Sequence, residues 1–347
     1  MNSATCNCRR KKSARKRSLA RRLAQALSAL LLVAAVALVV AAEWFVHHPK
    51  PWIDERLATW PRLTTATLLW VGTPSAELTD AFDWTGQDAV VTTTRKTPSD
   101  TVAFAGLPRR VGHPAPDDIK VLDRGEFAVG WSPSLRHPVW CAYHVTKTPL
   151  FSPEKRPPFR ADKYAARSPL ASDYSKTGYD RGHMVPNYAM ASRFGPETQK
   201  KTFLMSNIAP QSPSLNRGVW REVEHRIADF WTAKWGEVWV VVGALSDEGA
   251  TVGQTTIDCP RAFYQLVVVQ SDSEIRAFAV LFDQSVAWRA WPSRHILSID
   301  ELEQLTGLDF LPGLDDPVEE MLEGQLPTRL LPTRFVDAFR MLFSHNN

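Results

Sequence analysis

Apolar residues follow three rhythms along this chain. From Leu23 to Ala42 no residue is charged, and Glu43 ends the run. Twenty such residues reach ~30 Å as a helix, enough for the hydrocarbon core of a bilayer. Trp44, Phe45, His47 and His48 follow where an interfacial belt would lie, so the pattern predicts a transmembrane signal anchor over 23–46. A second rhythm is the short block rich in β-branched and aromatic residues: Phe127–Trp131, Val139–Val145, Val238–Gly243, Phe263–Val269 and Arg276–Phe282. These predict strands, the first two joined through the polar turn Ser132–Pro138 as a hairpin. The third rhythm is helical. Val219, Val223, Ile227 and Phe230 recur at the spacing of one buried helix face. Ser298–Phe310 opens on a capping pattern and predicts a short helix. Val318–Gly324 and Arg334–Phe343 predict terminal helices, with Pro327 and Pro332 between them.

Charge sharpens the division into segments. Residues 1–22 carry nine Lys or Arg and no acid, a basic tail that should stay on the cytoplasmic side of the anchor. The chain beyond residue 46 is then extracytoplasmic, on the periplasmic side of the inner membrane in a bacterium. A secreted form, cleaved near Ala41-Ala42, and a mitochondrial location are the alternatives. Residues 47–118, with Pro49, Pro51, Pro61 and a polar run at Thr92–Asp100, read as a linker or lead-in. With a net charge of +4 overall, residues 23–347 come to −5, yet residues 155–226 hold thirteen Lys or Arg against six acids. Such an acidic body with one basic segment fits a local phosphate-binding cleft rather than a broad polycation surface. Cys141 and Cys259 follow the anchor, each in or beside an apolar run, and read either as a disulfide or as two buried thiols.

The basic segment also holds the candidate chemistry. In Asp180-Arg181-Gly182-His183 the period of two puts Arg181 and His183 on one face of a strand, with Gly182 between them keeping the backbone approachable. His183 titrates near neutrality and suits general-base work on a water. Arg181 offers a fork of donors matched to phosphate oxygens. Asn216 sits at the mouth of the predicted Val219 helix, and Glu224 lies eight residues on, about 80° around a continuous helix. Singly, each residue has an ordinary reading: a core histidine, a helix N-cap, a turn anchor at Asp180, a solvated glutamate. It is their order and spacing that single them out.

These residues, with Phe203–Gln211 and Leu215–Trp220, resemble the signature of the sugar-nonspecific DNA/RNA endonucleases of the endonuclease G type. The resemblance extends over residues 119–315, including the opening hairpin and the Ser298–Phe310 segment. It implies an α+β fold with a central antiparallel sheet, flanking helices and a ββα-metal active site, here preceded by one N-terminal transmembrane helix. Residues 316–347 would form a C-terminal helical extension. The resemblance further implies Mg2+, with Mn2+ as the alternative ion, held directly by Asn216 and through a water by Glu224. His183 would be the general base, and Asn207 would orient the histidine and the water network. A phosphate-binding cation is expected from Lys155–Asp162: Arg156, with Lys155 and Arg160 as alternatives. DNA and RNA are the implied partners, along with the membrane and a second copy of the chain in a homodimer. The competing function is a binding module on the same fold, holding nucleic acid or a partner without hydrolysis.

Overall fold

In five long strands, side chains of both parities are buried. Successive side chains point to opposite faces, so a sheet made of such strands has to be covered on both sides. The computed structural model describes residues 89–92, 102–147, 151, 155–247, 249–252, 255–271, 274–327 and 330, all within one compact unit, 76–334. Its main sheet contains β1 (Ala89–Thr92), β3 (Lys120–Asp123), β4 (Phe127–Ser132), β5 (His137–Thr146), β8 (Glu237–Leu245), β9 (Ala262–Gln270), β10 (Glu274–Asp283) and β11 (Ile296–Leu297). The order is β1-β10-β9-β8-β5-β4-β3, with β11 also on β10, and every pairing is antiparallel. Two small ribbons accompany it: β2 (Arg109–Arg110) with β12 (Leu308–Asp309), and β6 (Asp180–His183) with β7 (Ile208–Gln211).

Alternation sorts the core into two layers. Phe127, Val129, Trp131, Cys141, Tyr143, Val240 and Val267 face Met184, Val185, Trp220 and Val223. Ala128, Trp140, Ala142, Trp239, Val241 and Leu266 face the other way, toward Leu302, Phe310 and Leu322. Over the first face lie α1 (Asn187–Phe194), α2 (Pro196–Thr202), α3 (Pro213–Arg217), α4 (Val219–His225) and α5 (Thr232–Trp235). The second face carries α6 (Ile299–Thr306) and α7 (Asp316–Glu323). The fold is α+β, with helices flanking a central antiparallel sheet. The expected hairpin forms as β4 and β5, and Ser298 caps α6 in a capping box with Glu301.

Three expectations change. Part of the lead-in 47–118 is not linker: Ala89–Thr92 is the edge strand β1, paired with Glu274–Ala277. Gln325 accepts from Val90 N at 3.0 Å and donates to Val90 O at 3.3 Å, so the lead-in and the C-terminal segment meet at the sheet edge. The helix expected at Val318–Gly324 is α7, and its Leu322 is a fully buried core residue rather than part of an appendage. The helical stripe Val219, Val223, Ile227 continues to Trp231, not Phe230. A π-helical turn spans Arg226–Trp231, and its wider step carries the buried face one residue further. The apolar run 23–42 and the segment Arg334–Phe343 lie outside the described residues. Among those described, no helix is long and apolar enough to cross a membrane.

Candidate active site

The ribbon β6–β7 leads into α3 and α4, and the site is built on this unit. Asp180 pairs with Gln211 and His183 with Ile208. The strand period turns Arg181 and His183 toward a cleft of about 540 Å³. Gly182 serves the opposite face. A Cβ there would stand 2.1 Å from Gln211 Oε1, so the glycine seats the strand on a buried glutamine rather than opening the backbone to the cleft. Asn207 also lies behind the cleft, fully buried. Its Nδ2 donates to Val185 O and Thr202 O, both at 3.0 Å, and its Oδ1 accepts from Val185 N at 2.9 Å. It therefore locks the backbone just after His183, bearing on the histidine from behind rather than through a hydrogen bond to the imidazole.

Around the cleft stand four arginines, Arg156, Arg181, Arg217 and Arg221, with Asp180, His183, Asn216 and Glu224 among them. Of the three candidate cations upstream, Arg156 lines this cleft, whereas Arg160 lines a second one with Arg124 and Lys201. The loop bearing Arg156 is tied down from behind by buried Asp162, which accepts from Arg124 and from Ser206 Oγ at 2.5 Å. His183 sits between Phe159 and Phe203, ring centroids 5.4 and 4.8 Å away. Its Nε2 is buried and makes no hydrogen bond. Burial, aided by Arg156, lowers its pKa to about 3, because the imidazolium would lose its hydration beside another cation. The histidine is therefore a neutral acceptor throughout the physiological range. Arg181 is held by stacking on Phe159 at 5.0 Å and by donation to Ala171 O at 3.1 Å.

Asn216 and Glu224 were expected on one helix, but the helix is interrupted. Ser212, not Asn216, is the N-cap of α3, and Gly218 breaks the chain before α4. A Cβ at Gly218 would lie 2.3 Å from Ser214 O and 2.4 Å from Trp288 O, both backbone atoms that cannot yield. The break sets Asn216 against Asp180, whose Oδ2 accepts from Asn216 Nδ2 at 2.9 Å. Asp180 also accepts from Arg217 at 2.6 and 2.7 Å, and this pairing holds its carboxyl below the usual range. With Nδ2 committed to Asp180, the carbonyl oxygen of Asn216 is the atom left for a cation. A hard ion that keeps most of its water needs only one or two protein oxygens, so the donor set fits Mg2+ or Mn2+. Glu224 is half-buried at the cleft wall, where burial raises its pKa to about 8 against the opposing pull of Trp220, Arg156 and Arg221.

Several residues of the cleft escaped the sequence reading. Asp180, read there as a turn anchor, is one in its role as partner of Asn216, although its place three residues before His183 in the same strand was a usable signal. Phe159 and Phe203 form the aromatic walls of the histidine, and Arg217 and Arg221 complete the arginine ring. At the rim, Tyr188 donates to Asp229 Oδ1 at 3.1 Å, beside His225. No spacing rule connects residues 159, 188 and 203. Cys141 and Cys259 are both free thiols.

The chain is similar to known proteins in sequence and in fold. Mouse mitochondrial nuclease EXOG is 28% identical over 209 residues, covering 54% of this chain and 56% of its own. A nuclease of Nostoc is 27% identical over 226 residues, 60% and 79% of the two chains. The nuclease of Serratia marcescens is 29% identical over 198 residues, 54% and 73%. The chain thus spans a little over half the length of the mouse relative. A crystal structure of an EndoG/EndoGI complex shares the fold with a TM-score of 0.52 at 22% identity, covering 60% of this chain and 91% of the other. The family model described as DNA/RNA non-specific endonuclease matches residues 108–317, more than half of the chain. This span contains both strands of the β6–β7 ribbon and the helices that follow it, and the chain belongs to the DNA/RNA non-specific endonuclease family.

Proposed function

We propose that this chain is a metal-dependent endonuclease that hydrolyses the phosphodiester bonds of DNA and RNA with little sequence preference. The observation that carries the reading is the cleft itself: a neutral His183 with a buried Nε2 within a ring of four arginines, opposite an asparagine fixed by Asp180. Arginine forks read phosphate oxygens and carry no base information, which supports action on either sugar. His183, unprotonated at neutral pH, accepts the proton of the attacking water. Arg181 and Arg156 hold the non-bridging oxygens, and Asp180 keeps Asn216 turned to present its carbonyl oxygen. Bound there, a Mg2+ or Mn2+ ion supplies Lewis-acid stabilisation of charge on the phosphate and leaving oxygen. Glu224, as a carboxylate, holds one of the waters around that position.

Plasmid nicking and cleavage of single-stranded RNA by the purified chain, each with Mg2+ and with EDTA, test the proposal. Cleavage of both substrates, lost with EDTA and in His183→Ala, is expected. Binding without cleavage at any metal concentration would favour the binding-module reading instead.

The same proposal includes an N-terminal anchor over 23–46 with the nuclease domain outside the cytoplasm, supported by the basic tail and the uncharged run. The mitochondrial relatives support an organelle location as the alternative. Protease accessibility of the domain in intact cells distinguishes them, and protection from protease would exclude the exposed topology.

A further inference from the structure

The face of the sheet opposite the cleft carries a second cluster of ionisable side chains. From Ser298 to Glu323 the chain has nine Asp or Glu and no Lys or Arg. Three of these, Asp300 in the first turn of α6, Glu303 one turn on and Glu323 at the end of α7, bring carboxylate oxygens within 4.8 Å of one another. An acidic surface alone would splay apart into water. This cluster does not, because its members are drawn inward by the packing of Leu302 and Leu322 into the core.

Glu323 is the informative member. It is 7% exposed, and its Oε1 is buried without a hydrogen-bond donor. Every charged group that bears on it, Glu303, Glu319, Asp300 and Asp309, is another carboxylate. Glu303 Oε1 accepts from Phe310 N at 2.9 Å, which fixes that side chain and leaves its other oxygen for the cluster. Asp300 Oδ2 reaches over the end of α7, 3.5 Å from the place of a Cβ on Gly324. Burying an unpaired carboxylate is costly, and three converging carboxylates need either a cation or protons.

We propose that Asp300, Glu303 and Glu323 bind a divalent, calcium-sized cation that ties α6 to α7. Oxygen ligands around Ca2+ stand at about 2.3–2.6 Å from the ion, so ligands on opposite sides are separated by up to ~5 Å. The three carboxylates each offer an oxygen within 4.8 Å of the others, inside this limit. With three carboxylates the site is charged enough for a divalent ion, and water would fill the remaining positions. Protons are the competing solution: burial raises Glu303 to about 7 and Glu323 to about 8, so the cation has to be tested where protons no longer compete.

The test is thermal unfolding of the full chain at pH 9 after EDTA treatment and desalting, with and without CaCl2. A Tm rise of roughly 5–10 °C is expected at Ca2+ a hundredfold above Kd. The rise should be lost in Asp300→Asn, an exposed position that does not endanger folding, and in Glu323→Gln, yet persist in Asn216→Ala, whose change lies in the cleft on the other face. A calcium shift that Asp300→Asn leaves intact would overturn the assignment. So would the absence of a calcium shift in the parent; a Glu323→Gln chain more stable than the parent without metal would then mark a proton-sharing pair. Should Glu323→Gln fail to fold, the Asp300→Asn result decides by itself.

Discussion

On one face of the sheet Glu224 is half-buried among arginines; on the other, half-buried Glu303 and buried Glu323 sit among carboxylates. Burial is the first cause of the raised pKa in all three. What differs is the compensation within reach. Arg156 and Arg221 pull Glu224 toward its charged form, so the cleft carries its own countercharge and can hold phosphate as well. On the far face the charged neighbours of Glu303 and Glu323 are carboxylates that reinforce the shift, opposed at Glu303 by donation from Phe310 N. The comparison teaches that a raised carboxyl does not by itself mark an active site. The sign of its neighbours tells a phosphate cleft from an acidic cluster. Changes in the cleft should therefore act on catalysis, and changes on the far face on stability.

The largest effect expected is that of His183→Ala, a loss of ~10²–10⁴-fold in kcat, with Tm unchanged within a few degrees. Wild-type cleavage by this variant would remove His183 from the mechanism. Next is Leu322→Ala on the far face. It should lower stability by about 2–5 kcal/mol, read by urea denaturation, while kcat per folded molecule stays at the parent value. A fall in kcat at full folding would show that the faces are coupled. Asp180→Ala frees the amide of Asn216, and second-layer losses of this kind run at ~10–100-fold. The loss should appear chiefly as a weaker apparent affinity for Mg2+. An unchanged metal titration would detach Asp180 from the metal position.

Dependence on pH gives a smaller effect with a definite sign. Glu224 is raised from its ordinary 4.5 to about 8, so between those values the fold keeps a proton that the unfolded chain releases. Its contribution disfavours the fold as pH rises through that window. The carboxylate needed to hold a water forms only toward pH 8, so kcat/KM at subsaturating metal should rise on an ascending limb near pH 8. In Glu224→Gln that limb should vanish. His183 has the opposite sign: its pKa falls from 6.5 to about 3, so its neutral form costs stability only as pH drops below 6.5. An ascending limb that survives in Glu224→Gln would assign the titration elsewhere. The smallest effect concerns salt. With two to four of the cleft arginines proposed as phosphate contacts, log K of the His183→Ala chain for DNA should fall with log salt at a slope of roughly −2 to −4, at ~0.9 per neutralised phosphate. A much steeper slope would extend the binding surface beyond the cleft.

What the sequence could disclose was whatever is written in neighbouring positions. The period of two placed Arg181 beside His183, the capping box marked Ser298, and the apolar runs located the long strands. The same local logic failed where a backbone obstacle or a wider turn intervened. A continuous helix was assumed from Asn216 to Glu224, but Gly218 lies against Ser214 O and Trp288 O, the latter seventy residues distant, and the helix breaks there. The stripe expected to end at Phe230 ended at Trp231 because of the π-turn.

By itself the sequence determined the residue types of the cleft and the covered strands of the sheet, because these depend on period and composition. Tertiary structure alone decided that Phe159 and Phe203 enclose His183, and that Asp180 fixes Asn216. It also decided that Asp300 and Glu303 meet Glu323 across two helices. In each case the partners are twenty or more residues apart, and only the packing of both sheet faces brings them within a few ångströms. Electrostatic energy depends on that distance and on burial, neither of which is written along the chain.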